Sequence, residues 1–343
     1  MVGVALAGCG GHSAKSPTAT QPAQTGTTTA SATAAVPPMR ATGSPAVVAS
    51  GIPYAANLAF DAHGGLWVIS AAIGPGAPGK VWYVPPGGSP RGVTTGLAAP
   101  SALAWIGNRL YVADTTASGS GRITVFEDFT GNGFASRRVL LSNLPVGSHT
   151  IGSIVQGPGG RLFIGLGAQA DHSGPPGRVV SFPPSGGAVG LEATGLRTAF
   201  GLAFWGRNLL VTDNGADHVS PSPDQLLAFD PGGPVVDFGF PKCYGQGGPA
   251  CAGFRAPLAT FPSHSSPEGI AVKGDVAFIA DDGTSIVPAP APSAIVRVDL
   301  RTGRHTIFWR APHEVDLVGI AIGPDGDLYA TLLVSGQVVR FGL

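Results

Sequence analysis

Polar side chains with catalytic potential flank the short apolar stretches of this sequence. Histidine moves protons near neutral pH, arginine stabilises developing negative charge, and carboxylate and amide oxygens suit hard cations. The candidates that precede an apolar stretch are Asn57, His149, Arg197, His264, Glu268 and Asp316. Those that follow one are Asp114, Gln169, Asp171, His172, Asp213, Asn214, Asp281 and Asp282. For each residue alone a turn or capping role is the alternative, since Asp and Asn favour turns through local hydrogen bonds.

The composition excludes several classes of function. The 343 residues contain 20 Lys and Arg and 20 Asp and Glu, so the formal net charge is zero. We therefore expect neither nucleic acid nor an anionic membrane surface as a partner. Hydrophobic residues make up 43% and charged residues 12%, which excludes disorder of the whole chain. The 53 Gly and 32 Pro favour short strands and tight turns over long helices.

One pattern of two short apolar strands separated by a turn recurs six times, and these strands must position the candidate residues. The six copies are 57–60 with 66–68, 101–104 with 110–112, 152–155 with 162–164, 201–204 with 209–211, 269–272 with 277–279, and 319–322 with 328–330. A third strand of alternating character follows each copy, at 80–84, 122–126, 178–182, 225–229, 294–298 and 337–341. Alternation indicates that one face of each strand is buried.

The length of the repeat predicts the architecture. The aromatic or leucine residue of each second strand recurs after 44 to 68 residues, close to the length of a four-stranded propeller blade. We predict an all-β protein, a six-bladed β-propeller of four-stranded antiparallel blades over residues 42–343. The sixth copy ends after its third strand, and the segment Ala46–Ala49 is predicted to supply its outer strand.

The N-terminal residues suggest an anchor. Residues 6–9 read Leu-Ala-Gly-Cys and resemble the processing box of bacterial lipoproteins, in which Cys9 would carry the lipid, although no basic segment precedes it. Residues 10–41 are rich in Ser, Thr, Ala and Pro without periodicity, as in a disordered tether. We therefore expect an extracytoplasmic protein that meets the bacterial cell envelope only through a lipid on Cys9; a chance match is the alternative.

Two further cysteines lie eight residues apart in a Gly/Pro-rich loop. A disulfide between Cys243 and Cys251 is the favoured interpretation, and it requires an oxidising compartment. Two free thiols are the alternative. A zinc site would need more Cys or His ligands at close spacing than this loop contains.

Five stretches resemble, in order, the soluble quinoprotein glucose/sorbosone dehydrogenase family. They lie at 144–164, 197–204, 212–217 with 224–226, 238–245, and 264–271. The family's order is followed over residues 45–343. The resemblance implies an oxidoreductase that acts on the CH–OH group of a sugar or polyol, with pyrroloquinoline quinone (PQQ) and calcium as cofactors.

The resemblance also implies roles for particular residues. His149 would be the general base, and Arg197 would stabilise charge beside the reacting quinone carbonyl. Calcium would lie on the backbone carbonyls of Gly215 and Ala216, and Asp224 would be near a second calcium position. The other cofactor-binding positions are Gln169, Asp171, Asp213, Asn214, Lys242 and His264.

The sequence departs from the family at several of these positions. Thr198 stands where an asparagine is usual, Ser148 where an acidic residue is frequent, and Asp316 where an arginine is common. A tricarboxylate cofactor needs several cationic partners, and the sequence offers Arg197 and Lys242.

These departures leave two other functions open. One is a metal-dependent hydrolase that resembles gluconolactonases, with an ion held by Glu268, Asn214 and Asp213. The other is a lipid-tethered binding propeller that resembles NHL-repeat proteins and needs no cofactor.

Overall fold

The computed structural model describes residues 44–71, 78–147, 149–217, 219, 221–283, 292–313 and 316–343. Cys9 and the predicted tether at 10–41 lie outside the described residues. Strands dominate this part of the chain, and two short 3-10 helices, Pro158–Gly160 and Pro249–Cys251, are the helices found in it. Among the described residues we find no helix with the length and hydrophobicity that a membrane crossing requires.

The strands form six antiparallel blades, as the repeat predicts. The N-terminal strand β1 (Ala46–Ala49) belongs to the last blade. The strands of the first three blades, from the channel outward, are β2 (Ala55–Phe60), β3 (Leu66–Ser70), β4 (Pro78–Val84) and β5 (Arg91–Gly92), with β6 (Leu97–Ala98) beside β4; β7 (Pro100–Ile106), β8 (Arg109–Thr115), β9 (Ser120–Phe129) and β10 (Phe134–Pro145); and β11 (Ile151–Gln156), β12 (Leu162–Leu166), β13 (Gly177–Phe182) and β14 (Gly190–Leu196).

The remaining blades follow the same order. Their strands are β15 (Ala199–Trp205), β16 (Asn208–Asp213), β17 (Asp224–Phe229) and β19 (Ala259–Phe261); β20 (Pro267–Lys273), β21 (Val276–Asp281), β22 (Ala294–Asp299) and β23 (His305–Arg310); and β24 (Leu317–Ile322), β25 (Leu328–Leu332) and β26 (Gln337–Phe341), completed by β1. A further strand, β18 (Val236–Asp237), pairs in parallel with β14. The chain between β17 and β19 therefore adds a fifth strand to the outer edge of the third blade.

The ring closes through its two ends. Strand β1 pairs antiparallel with β26, with Val47 opposite Val339, so the predicted closure is confirmed. The innermost strands lie side by side around the channel, and β24 contacts β2. Closure is required because each blade buries both faces against its neighbours.

The hydrophobic core lies between successive blades. The aromatic or leucine side chains that define the repeat are all buried there, namely Trp67, Tyr111, Phe163, Leu210, Phe278 and Tyr329. Each buried cluster combines residues of two adjacent blades, as where Tyr111 of β8 shares a cluster with Ile154 of β11. Both faces are buried in third strands as well, such as β13, β17 and β22, so the prediction of a single buried face for these strands is wrong. Burial on both faces explains why the strand sequences are apolar with little interruption.

Glycine and threonine bring neighbouring blades close together. The Thr212 hydroxyl on β16 accepts a hydrogen bond from Gly201 N at 2.7 Å and donates one to the Glu268 carbonyl of the next blade at 2.6 Å. A Cβ atom on Gly201 would lie 2.2 Å from that carbonyl oxygen, so a larger residue does not fit. This joint fixes the start of β20 and with it the position of the Glu268 side chain.

Candidate functional site

His149 lies just before β11, at the end of the ring where the innermost strands begin. Its side chain is 13% exposed, and Nδ1 lies 3.2 Å from the Thr198 hydroxyl. The Nε2 atom is buried and has no hydrogen-bond partner in the described part of the chain. Burial, followed by the nearby Arg197 charge, lowers the pKa of His149 to about 4. The imidazole is therefore neutral near pH 7 and has one nitrogen free.

Arg197 precedes β15 and is held by two carboxylates. Its Nε donates to Asp171 at 2.5 Å, and its Nη2 pairs with both Asp171 and Asp217, the latter at 2.9 Å. Asp171 also lies 3.9 Å from His149 Nε2 and pairs with His172 at 2.7 Å. The guanidinium is thus fixed in place, and its charge is largely offset by its partners.

Asp213 orders the segment that carries Arg197 and Thr198. The carboxylate is buried at the end of β16, and its Oδ1 accepts N–H bonds from Arg197 at 3.0 Å and Thr198 at 2.7 Å. Burial raises the pKa of Asp213 to about 7. The contacts of Asp213 are therefore those of a positioning residue behind the site.

Asp224 holds the loop between β16 and β17. Its Oδ1 accepts the Gly215 N–H at 2.5 Å, and its Oδ2 accepts the Ser266 N–H at 2.8 Å. Ala216 N donates to Ser222 Oγ at 2.6 Å. In the described residues no group of three or more His, Cys, Asp or Glu side chains is arranged to hold a metal ion. Calcium binding by Gly215, Ala216 and Asp224 stays a prediction.

Glu268 and Asp282 present carboxyl groups from the fifth blade. Asn214 Nδ2 donates to Glu268 Oε1 at 3.1 Å. Burial, followed by the charge of Asp282, raises the pKa of Glu268 to about 8. Burial and the charge of Asp316 raise the pKa of Asp282 to about 7.

A cavity of about 480 Å³ opens between these residues. This volume is typical of small-molecule sites. His149, Phe200 and Glu268 line it from three consecutive blades, whereas much of the remaining wall is apolar. Four lining residues have a buried polar atom without a partner in the described structure, namely Ser101 Oγ, Thr115 Oγ1, His149 Nε2 and Asp282 Oδ1. Buried polar atoms are rarely left unsatisfied, so this wall is suited to a polar ligand.

The other predicted positions are placed as follows. The His264 ring is 12% exposed, and its Nδ1 lies 3.7 Å from Asp217, which connects it to Arg197 through a shared carboxylate. Gln169 is exposed, and its backbone N–H donates to Pro175. Lys242 is exposed and directly precedes Cys243, which forms a disulfide with Cys251 with Cα atoms 4.9 Å apart. The predicted disulfide is confirmed.

Two of the candidate residues, Asp114 and Asp316, make contacts that hold the surrounding chain in place. Asp114 is buried and pairs with Arg122, and it also accepts the Ala98 N–H at 3.1 Å. Asp316 is buried and accepts the Val334 N–H at 2.8 Å.

The sequence did not single out Asp217, which is the second partner of Arg197. It also gave no role to the Thr198 side chain, which contacts His149. The one available signal was that both residues lie in stretches that carry the family resemblance.

Comparison with known proteins identifies solved structures with a similar fold. No family profile matches the chain, and no curated protein matches it. Among solved structures, a Trichoderma reesei protein of carbohydrate-active enzyme family AA12 has a TM-score of 0.73 at 17% identity, over 89% of this chain and 97% of that one. The PQQ domain of pyranose dehydrogenase from Coprinopsis cinerea has a TM-score of 0.71 at 15% identity, over 87% and 95%.

A third similar structure is the soluble aldose sugar dehydrogenase of Escherichia coli, with a TM-score of 0.65 at 15% identity, over 87% of this chain and 99% of that one. At sequence identities this low, structural similarity establishes a shared fold only. The chain therefore has the six-bladed propeller fold of soluble sugar dehydrogenases, as the resemblance in its sequence predicts.

Proposed function

We propose that this propeller is an oxidoreductase of the quinoprotein type that acts on a hydroxyl group of a sugar or polyol, with His149 as proton acceptor. The observation that carries the proposal is the free, buried Nε2 atom of a neutral histidine beside a cavity of small-molecule size. The similar structures include sugar dehydrogenases, which supports the same class of substrate.

His149 is suited to accept a proton because Thr198 holds its ring and charged groups lie near it. When Nδ1–H donates to Thr198 Oγ1, the lone pair of Nε2 is left to accept a proton. Protonation at Nε2 gives an imidazolium that Asp171, 3.9 Å away, would stabilise. Arg197, fixed by Asp171 and Asp217, would stabilise negative charge that develops as the hydroxyl proton leaves.

The residues fit PQQ at its reacting end but not at its carboxylates. His149 and Arg197 supply a base and a cation side by side. The three carboxylates of the cofactor would need further cations, whereas Arg197 already pairs with Asp171 and Asp217. Lys242 forms no ion pair with any described residue, and no contact joins it to Arg197.

The test combines cofactor binding with turnover. Purified protein is titrated with PQQ and calcium while quinone absorbance is followed, and reduction of an artificial dye is then measured with a panel of aldoses and polyols. We expect His149→Ala to lower kcat by at least about 100-fold, the usual contribution of a general base. The exposed His63, on a turn of the first blade, gives the matched control His63→Ala.

The rate should also depend on pH in a defined way. Because the pKa of His149 is lowered to about 4, the base stays unprotonated from about pH 5 upward and activity falls below that range. Wild-type protein that binds no quinone, or that reduces no dye with any sugar, contradicts the proposal. In that case the lipid-tethered binding propeller without a cofactor is favoured, because Arg197, the cation near His149, is already paired with Asp171 and Asp217.

A gluconolactonase-like site fits less well. Glu268 and Asn214 are in contact at 3.1 Å, but the third expected ligand, Asp213, uses its Oδ1 to accept two backbone N–H bonds. That carboxylate would have to release Arg197 and Thr198 to reach an ion.

We also propose an extracytoplasmic location. Disulfides such as Cys243–Cys251 persist in oxidising compartments. Lipid attachment at Cys9 stays a prediction, and a mass shift of the mature N-terminal peptide would test it.

A further inference from the structure

A second, smaller cavity lies between the first and second blades. Gly96 and Leu97 of the first blade and residues of β9 and β10 of the second form its walls. Its volume is about 140 Å³. Such a space holds about four water molecules, which is room for a phosphate, sulfate or carboxylate group. None of its lining residues belongs to the cavity beside His149, so it is a separate site.

The polar side chains of this smaller cavity lie on one face of the β9–β10 hairpin. Arg122 and Thr124 are two residues apart on β9, so their side chains leave the strand on the same side. Arg137 of β10 lies opposite Phe126, two residues further along β9, and residues directly opposite in an antiparallel pair share a face. Arg122, Thr124 and Arg137 therefore contribute to one wall.

These three side chains carry hydrogen-bond donors that the protein does not use. Arg122 directs Nε and Nη2 to the buried Asp114 carboxylate, and no described residue accepts from its Nη1. Arg137 Nη1 donates to the Thr95 carbonyl at 2.9 Å, and no described residue accepts from Nε or Nη2. Thr124 is 5% exposed, and its hydroxyl has no partner in the described structure. A polar residue this deeply buried needs a partner from the cavity.

The wall also carries positive charge. Arg122 is neutralised by Asp114, whereas Arg137 forms no ion pair with any described residue. The Glu127 carboxylate, also on β9, lies 3.6 Å from Arg138, and no carboxylate lines the cavity. A wall with free N–H and O–H donors and an uncompensated guanidinium is the complement of an oxyanion.

Gly96 holds the Arg137 guanidinium in position. A Cβ atom at Gly96 would lie 3.0 Å from Arg137 Nη1 and 3.5 Å from Nη2, so the guanidinium packs directly against the backbone of Gly96. The φ angle of Gly96 is +73°, which also favours glycine. This contact and the hydrogen bond to Thr95 fix the guanidinium before a ligand arrives, which lowers the entropic cost of binding.

We propose that Arg122, Thr124 and Arg137 form a binding pocket for a small oxyanion, the phosphate, sulfate or carboxylate group of a ligand. Arg137 supplies the charge and N–H donors, and Arg122 Nη1 and the Thr124 hydroxyl supply further donors. A free inorganic ion and an acidic sugar present the same kind of group, and the experiment separates these two sources. The pocket shares no residue with the proposed active site, so it does not depend on the proposed function.

Calorimetry of the full chain without added cofactor tests the pocket. The probes are inorganic phosphate, sulfate and D-glucuronate at pH 7 and constant ionic strength, in an amine buffer with chloride as counter-ion. We expect phosphate or sulfate to bind at one site per chain. D-Glucuronate should displace the inorganic ion if the pocket takes the acidic group of a sugar, and should not displace it if the free ion is the ligand. D-Glucose, which has no acidic group, should displace nothing.

Substitutions assign the binding to this pocket. Arg137→Gln, at an exposed position, should weaken binding of the inorganic ion at least about tenfold, because it removes a charged donor. Thr124→Val keeps the shape of the side chain and should weaken binding at least about fivefold. The control Arg207→Gln removes an exposed arginine that pairs with Asp230 on the fourth blade, and it should bind as the wild type does.

Four outcomes overturn the inference: no binding of phosphate, sulfate or glucuronate; unchanged affinity in Arg137→Gln or in folded Thr124→Val; an equal loss in Arg207→Gln; or displacement of the ion by glucose. Circular dichroism shows whether each variant is folded, and Arg137→Gln decides alone if Thr124→Val is not. Weaker binding in the pocket variants with wild-type binding in Arg207→Gln supports the inference even when no dye is reduced, because dye reduction concerns the proposed function alone.

Discussion

The buried Asp213 carboxyl should make the stability of the protein depend on pH, and Asp213→Asn should remove that dependence. Asp213 is 3% exposed, and burial raises its pKa from 3.8 to about 7. A raised pKa means that the folded state binds the proton more tightly than the unfolded state. The resulting stabilisation is complete below pH 3.8 and is lost as the pH rises through about 7.

The expected magnitude follows from these two pKa values. Between pH 5 and pH 8 the wild-type free energy of unfolding should fall by about 3 kcal/mol through this group. An asparagine keeps an Oδ1 acceptor for Arg197 N and Thr198 N, which lie 3.0 and 2.7 Å from the present Oδ1, and it does not ionise. We therefore expect the excess stability of Asp213→Asn over the wild type to be about 3 kcal/mol larger at pH 8 than at pH 5.

Urea unfolding followed by circular dichroism at pH 5 and pH 8 measures the difference. With an m-value of about 3 kcal/mol/M, the gap between the midpoints of the two proteins should be about 1 M larger at pH 8 than at pH 5. The control Asp230→Asn removes an exposed carboxylate that pairs with Arg207, and it should keep the wild-type pH dependence. Parallel pH profiles for wild type and Asp213→Asn would refute the reasoning.

Two further predictions concern the hydrogen bond to the base and the disulfide. Thr198→Val removes the hydroxyl that lies 3.2 Å from His149 Nδ1, so turnover should fall about tenfold with a thermal midpoint near that of the wild type; unchanged turnover in the assay with dye would contradict a positioning role. Replacing both Cys243 and Cys251 by serine should lower the free energy of unfolding by roughly 2–3 kcal/mol, because the eight-residue link no longer restricts the unfolded chain. Urea midpoints equal to those of the oxidised wild type would exclude that stabilisation.

The blades were predictable because their signal is local. Each strand pair is read from apolar stretches a few residues apart, and the aromatic or leucine side chain of each second strand, such as Trp67 or Leu210, is buried in every copy. The pairing of Ala46–Ala49 with β26 was also predictable, since the sixth copy lacks one strand and the unassigned apolar segment stands at the other end. The positions of His149 and Arg197 at one end of the ring follow from the same repeat.

The sequence by itself determined the architecture, because short apolar strands and a repeat of blade length are properties of neighbouring residues. Only the tertiary structure decided what each polar side chain contacts. Asp213 and Glu268 are both acidic residues near the ends of strands, yet one accepts backbone N–H bonds behind the site and the other lines the cavity. That difference depends on side-chain direction and on partners 15 to 54 residues away in the chain, which spacing along the sequence does not encode.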